Sequence, residues 1–442
     1  MNFKFIIISI FVGSAILAII AFPLMSEKKT SEGKPNVIII SVDTVRADHL
    51  GCYGYERETM PNICDFAKDS LIFENAFSHT PITFPSHTTM LSGKYWYQHQ
   101  ANFSEKISSN LPLLAEILRD EGYDTGGFIT GLHLSERSGI DRGFQTYEEW
   151  NKLEVNRTQN GSEAELSKDT LAVRPERFNN RISSWLDESE EPKFLFAHYF
   201  YPHHPYEPPE KFDIFKPQKP KYPVPPPKET EDIGEIAKAI WKFTQKNITA
   251  EDRRMQRLIG KYDASLRHTD HYVGDLLDDL ERKGHLEDSV IIITSDHGEA
   301  FNEHGLMLHG SDVYNEQIKV PLIVKYPNED PGRIESPAGL VDITPSVLDA
   351  VNISVDEKFK GKPLPYSDQR YIISESMNMT FEEFKPRNRA IIRYPRKLIV
   401  KKNAKFLYNL KDDPMETNDL SSNLTDKVNE LEKSLETNHE TS

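Results

Sequence analysis

The chain has 442 residues, 28% of them charged, and a formal net charge of −16. That length allows one large core or two. The acidic surplus, with no basic patch in any segment, argues against nucleic acid as a partner, because phosphate backbones would be repelled.

Nearest the start, Phe5 to Phe22 is an almost unbroken apolar run preceded by Lys4. At about 1.5 Å per residue a helix of this length nearly crosses a bilayer core. It reads as a signal anchor or a signal peptide, and the lack of a clean small-residue cleavage site around Ala18 and Ala21 favours the anchor. The expected partner here is a membrane, with the rest of the chain extracytoplasmic, anchored or secreted. Seven N-x-S/T sequons, at Asn102, Asn156, Asn160, Asn247, Asn352, Asn378 and Asn423, agree with export. The expected division is 1–34 for this leader and its linker, 35–365 for the main domain, 366–422 for a C-terminal subdomain and 423–442 for a polar tail.

The apolar segment from Asn36 to Ser41 predicts a buried strand that ends in Asp43. Cys52 and Cys64 follow, either as a disulfide or as two buried thiols. Thr83 opens the run T-F-P-S-H-T-T-M-L-S-G, in which Pro85 suits a first helical turn and Gly93 a helix stop. Pro112 and Gly122 bracket a short helix, and a strand around Phe128 comes next. Ten prolines between Pro202 and Pro227 forbid a helix and predict an irregular loop, either a stiff surface segment or a lid. From Arg254 to Arg282, Leu258, Tyr262, Leu266, Val273, Leu277 and Leu280 recur at helical spacing, a stripe for core packing. A second apolar strand, Ser289 to Thr294, runs into Ser295-Asp296-His297-Gly298-Glu299. Past Arg370, short strands at Tyr371 to Ile373, Ala390 to Arg393 and Lys397 to Val400 predict a small antiparallel sheet, and an acidic stretch from Asp412 ends in a frayed helix.

Strands alternating with helices predict a mixed α/β fold. In an open parallel sheet the strand C-termini share one edge, and ligands bind outside that edge. Asp43, Asp296 and His297 are thereby expected to meet, two hard carboxylates and one imidazole that suit a single divalent cation. Manganese, zinc, calcium and magnesium all qualify. Thr83 at a helix start is expected to supply the fourth ligand, since coordination favours the alkoxide of a poor nucleophile. The amide groups at that helix start would attract a tetrahedral oxyanion. Arg46, three residues beyond Asp43, is expected to pair with the carboxylate cluster or with an anionic substrate.

These segments, in this order, resemble the sulfatase family within the alkaline phosphatase superfamily. The resemblance runs from about Pro35 to Leu420 and includes N-V-I-I-I-S-V-D-T-V-R-A-D-H-L-G-C-Y-G-Y, the Thr83 run, Y-P-H-H-P-Y-E-P-P at Tyr201, T-S-D-H-G-E-A-F-N-E-H-G at Thr294, V-P-L-I-V at Val320 and D-I-T-P-S-V-L-D at Asp342. It implies a three-layer sandwich with a mainly parallel central sheet and a small C-terminal antiparallel subdomain. It also implies that His203 faces the ester oxygens, that His309 protonates the leaving group, and that His87, standing where many sulfatases carry Arg, is a catalytic residue. Gly131 falls loosely where the family usually has Lys, and His133 near a family histidine.

The departures point to the substrate. Family sulfatases carry Cys or Ser at the position of Thr83 and oxidise it to formylglycine, which threonine cannot become. A sulfated threonine would wait for water to attack a crowded anionic sulfur, whereas a phosphothreonine is resolved by metal-assisted attack at phosphorus. The implied function is a metal-dependent ester hydrolase with a covalent Thr83 intermediate, favouring phosphodiesters or phosphonate monoesters of a small molecule, glycan or lipid. The His in the metal set leans towards manganese or zinc. The alternatives are a membrane-associated phospho-alcohol transferase, a sulfuric ester hydrolase and a non-catalytic binder of anionic glycans.

Overall fold

Isoleucine and valine runs make the two innermost strands. In this computed structural model, which describes residues 33–103, 105–150, 175–216, 253–366, 370–377 and 386–440, β1 (Asn36–Val42) is buried at every residue. Such uniform burial is what a strand covered on both faces requires. The main sheet adds β2 (Leu71–Phe73), β3 (Asp124–Ile129), β4 (Thr146–Glu149), β5 (Lys193–Tyr199), β6 (Ser289–Thr294), β7 (Leu322–Lys325) and β8 (Gly332–Ile334). Their spatial order is β8-β2-β7-β6-β1-β5-β3-β4. Only β7 runs antiparallel to its neighbours, so the sheet is mainly parallel.

Because side chains alternate along a strand, β1 feeds two cores. Val37 and Ile39 pack with α1 (Thr83–Ser92), α2 (Leu114–Asp120) and α5 (Ile343–Ala350) through Phe84, Met90, Leu114, Leu118 and Val347. Ile38 and Ile40 face α3 (Pro175–Glu188) and α4 (Arg253–Arg282) through Phe178, Ile182, Tyr262, Leu266 and Val273. The result is helix, sheet, helix. The stripe expected for core packing on α4 lies buried or partly buried, as its spacing predicts.

The small C-terminal sheet is antiparallel, β9 (Ile372–Met377), β10 (Pro386–Arg393), β11 (Arg396–Lys401) and β12 (Ala404–Asn409) in sequential order. One face, with Ile372, Ile392 and Ile399, packs on Phe77, Val313 and Ile318. The other face, with Ile391, Leu398 and Leu407, is covered by α6 (Thr425–Glu440) through Val428, Leu431 and Leu435. The acidic end of the chain is thus a docked helix with a buried apolar stripe.

Cys52 and Cys64, left open by the sequence, form a disulfide. The Phe5 to Phe22 run lies outside the described residues, as do residues 217–252 with most of the proline-rich stretch. Among the described residues no helix is long and apolar enough to cross a membrane.

Candidate active site

β1 and β6 are hydrogen-bonded neighbours with Ser41 opposite Thr294, so Asp43 and Asp296 leave the same sheet edge side by side. Thr44 adopts φ 56°, an unusual conformation for a β-branched residue. In that turn its N–H donates to Asp296 Oδ1 at 3.2 Å, and the Val45 N–H donates to Ser295 Oγ at 2.8 Å. A Cβ at Gly298 would lie 2.3 Å from the Glu316 carbonyl oxygen, so only glycine lets the loop pass there. Helix α1 begins at Thr83 and ends before Gly93, which has φ 62°. Its first turn is tied to both strands: the Ser86 hydroxyl donates to the Asp296 carbonyl at 2.6 Å, and the Ser41 hydroxyl to His87 Nε2 at 2.8 Å.

The ligand atoms of Asp43, Asp296 and His297 all lie within 4.8 Å of one another. Thr83 Oγ1 is 3.4 Å from Asp43 Oδ2 and 3.3 Å from His297 Nε2, which is itself 3.3 Å from Asp296 Oδ2. All four residues are buried. His297 Nδ1 donates to the Gly298 carbonyl at 3.0 Å, which fixes the tautomer and leaves the Nε2 lone pair facing the carboxylates. Asp43 Oδ1 and Asp296 Oδ2 have no hydrogen-bond partner among the described residues, although buried carboxylate oxygens almost always find one. Burial, with Asp296 and Glu299 nearby, raises the Asp43 carboxyl well above the usual carboxylate range. Burial also works against an Asp296 charge, yet His297, His87 and His198 hold that carboxyl down to about 2. Burial pushes His297 down to about 4, so its imidazole is neutral at pH 7. Two crowded buried carboxylates with unpaired oxygens beside a neutral imidazole nitrogen fit a hard or borderline divalent cation.

A second group lies alongside. His309 Nδ1 donates to Glu299 Oε1 at 2.9 Å, and the Tyr206 hydroxyl donates to Glu299 Oε2 at 2.6 Å. Burial opposes a charge on His309, but Glu299 raises it above the ordinary histidine value. The rings of His309 and His297 are 4.4 Å apart, and those of His309 and His203 5.0 Å apart. His203 stacks on Phe200 and donates from Nδ1 to the His204 carbonyl, which leaves its Nε2 without that tie.

Two expectations need correction. Arg46 does not reach the Asp43 cluster or an open face: its guanidinium pairs with Asp48 and Glu303, donates to the Glu299 carbonyl, and is buried. His87 sits deep beneath Thr83, with Nδ1 donating to the Thr83 carbonyl and Nε2 accepting from Ser41, so it braces the helix start. Two residues at the site were not singled out from the sequence. Glu299 stands in the S-D-H-G-E run, where its place after two ligand-type residues was the available signal. His198 is the only imidazole in the otherwise apolar stretch F-L-F-A-H-Y of β5, and its Nε2 lies 3.4 Å from Asp43 Oδ2.

A family model described as sulfatase matches residues 35–353. The chain belongs to the sulfatase family. It is 26% identical to an ulvan-active sulfatase of Formosa agariphila, over 79% of this chain and 69% of that protein. Two solved structures of similar fold both have a TM-score of 0.73. One is a complex with its substrate D-glucosamine-2-N,6-O-disulfate, 19% identical and covering 92% of this chain and 98% of the other. The other is the phosphonate monoester hydrolase of Agrobacterium radiobacter, 20% identical and covering 92% and 96%. This sulfatase-family chain is therefore a hydrolase of sulfuric or phosphoric ester bonds, with the three-layer sandwich that its motifs imply.

Proposed function

We propose that this protein hydrolyses phosphodiesters or phosphonate monoesters through a covalent intermediate on Thr83, with sulfate esters the poorer substrates. The observation that supports the reading is the position of Thr83 Oγ1, 3.4 Å from Asp43 Oδ2 and 3.3 Å from His297 Nε2. Asp43, Asp296 and His297 would hold the divalent cation. When bound, such a cation lowers the energy of an alkoxide and of charge developing on the ester oxygens.

The chain's own groups divide the remaining work. The Thr83 oxygen, entering and later leaving as the alkoxide that a cation would favour, attacks phosphorus from the first turn of α1, whose position is held by Ser41, Ser86 and His87. As the bond to the leaving alcohol breaks, His309 gives that oxygen a proton while Glu299 keeps the ring oriented. In the second half, His309 accepts a proton from the water that attacks phosphorus, and the bond to Thr83 breaks. His203, beside His309, is placed for the non-bridging oxygens. Phe103, exposed by 45%, sets its ring against those of Phe84, the residue after Thr83, and His133. The Cys52–Cys64 disulfide supports an oxidising, extracytoplasmic setting.

A second reading, sulfate ester hydrolysis, is favoured by the relatives, among them the ulvan-active sulfatase. A panel of aryl phosphodiester, aryl phosphonate monoester and aryl sulfate, each assayed with manganese, zinc, calcium and magnesium, separates the two. The first two substrates are expected to give the higher kcat/KM. A large preference for the sulfate would overturn the phosphorus reading and leave the second one.

A further inference from the structure

His198 is an imidazole in the middle of the main sheet. Strand β5 runs between β1 and β3, with His198 opposite Ser41 on one side and Ile129 on the other. Its residue exposure is 0%, and among the described residues neither Nδ1 nor Nε2 has a hydrogen-bond partner. A neutral imidazole carries one N–H, and leaving that donor unsatisfied in a core is unfavourable. An apolar residue would fit this strand with no such cost. Asp43 Oδ2, the same oxygen that faces Thr83 Oγ1, lies 3.4 Å from His198 Nε2.

The neighbourhood leaves room for this ring. A Cβ at Gly131 would come within 3.0 Å of His198 Cε1 and 2.9 Å of the Phe200 ring, so a side chain there would crowd the imidazole out of place. On another side the ring of His87 meets that of His198 edge to face at 4.8 Å. His87 uses both of its nitrogens on Thr83 and Ser41 and has none to offer Asp43. His198 is thus the imidazole beside Asp43 with both ring nitrogens uncommitted.

We propose that His198 is a positioning residue of the cation site, whose Nε2–H holds the Asp43 carboxylate in the orientation that binding a divalent ion requires. The inference rests on the cation site proposed above. Groups that hold a metal-ligating side chain typically change metal affinity by about 10–100-fold when removed. A histidine that merely filled the core would act on folding and leave that affinity alone.

The test compares wild type, His198→Leu and His198→Gln, measuring the dissociation constants of manganese and zinc by competition with a chromogenic chelator, and the Tm of the metal-free proteins. His198→Leu is expected to weaken binding by about 10–100-fold, while the metal-free Tm stays the same or rises because an unpaired donor has left the core. His198→Gln, which keeps an N–H donor, is expected to recover most of the affinity. Unchanged affinity in His198→Leu overturns the proposal, and so does an equal loss in both variants. If His198→Leu does not fold, His198→Gln decides alone: near-wild-type affinity agrees, and a tenfold or greater loss contradicts. Failure of wild type to bind either ion would instead remove the cation site itself, an outcome distinct from these.

Discussion

Threonine at position 83 offers a secondary alcohol and no route to an aldehyde, so any covalent chemistry on it must resolve at the transferred group rather than at the side chain. That makes the acid beside it decisive. His309 is oriented by Glu299, which also raises its proton affinity. General acid catalysis contributes about 10²–10⁴-fold, and most where the leaving oxygen is basic. His309→Ala is therefore expected to lower kcat/KM by roughly 100-fold or more on alkyl esters and far less on nitrophenyl esters. A leaving-group series measures this, and equal losses on both would assign His309 another role.

A neighbouring histidine reports on stability instead. His304 is stacked on Tyr314 and bonds to Glu316 Oε1 at 2.9 Å and to the Glu416 carbonyl at 3.1 Å. Burial opposes its charge, but Glu316 and Glu416 raise it from 6.5 to about 9. A raised histidine stabilises the fold fully below the unfolded value of 6.5, and that contribution fades as pH climbs through about 9. The shift corresponds to something on the order of 3 kcal/mol. Urea melts of wild type and His304→Gln should differ most below pH 6.5 and converge above pH 9. A gap that does not change with pH would contradict the charge pairing.

Among the elements, α6 shows most clearly how a polar sequence can hide a packed face. Its surface residues are acidic and basic, yet Val428, Leu431 and Leu435 recur at spacings of three and four and close one face of the C-terminal sheet. Leu431 is wholly buried, whereas Leu424 just before the helix is 37% exposed. Leu431→Ala is expected to cost about 2–4 kcal/mol in chemical denaturation, and Leu424→Ala under about 1 kcal/mol, as surface substitutions do. Similar costs at the two positions would mean that the helix is not docked as described. Sequence pattern reached this helix only in part, because its three buried positions are separated by charged residues that dominate the composition. The strand Ala404–Asn409 is likewise hard to read from sequence, since it has no β-branched residue and Ala, Lys and Asn surround its two aromatics.

At the scale of the whole molecule, the order of strand ends was legible because β1 and β6 are buried on both faces and therefore read as unbroken apolar runs. Each run stops where a ligand begins, and the fold brings Asp43 and Asp296 together from distant parts of the chain. His198 was not legible for the same reason: a single polar residue within a buried strand gives no periodic signal. The spacing of Arg46 from Asp43 along the chain says nothing of Asp48 and Glu303, which capture it in space. The transfer reaction drew its motive from the N-terminal apolar run, which lies outside the described residues.

What joins these scales is a nucleophilic threonine set among two carboxylates and an imidazole. Rapid acid quench during turnover of an aryl phosphodiester, followed by peptide mass spectrometry, reads that claim directly. The account predicts a phosphoryl adduct on the peptide that carries Thr83, absent from Thr83→Ala, which loses roughly 10³-fold or more of the activity. Full activity in Thr83→Ala, with no adduct on the wild-type peptide, would contradict it.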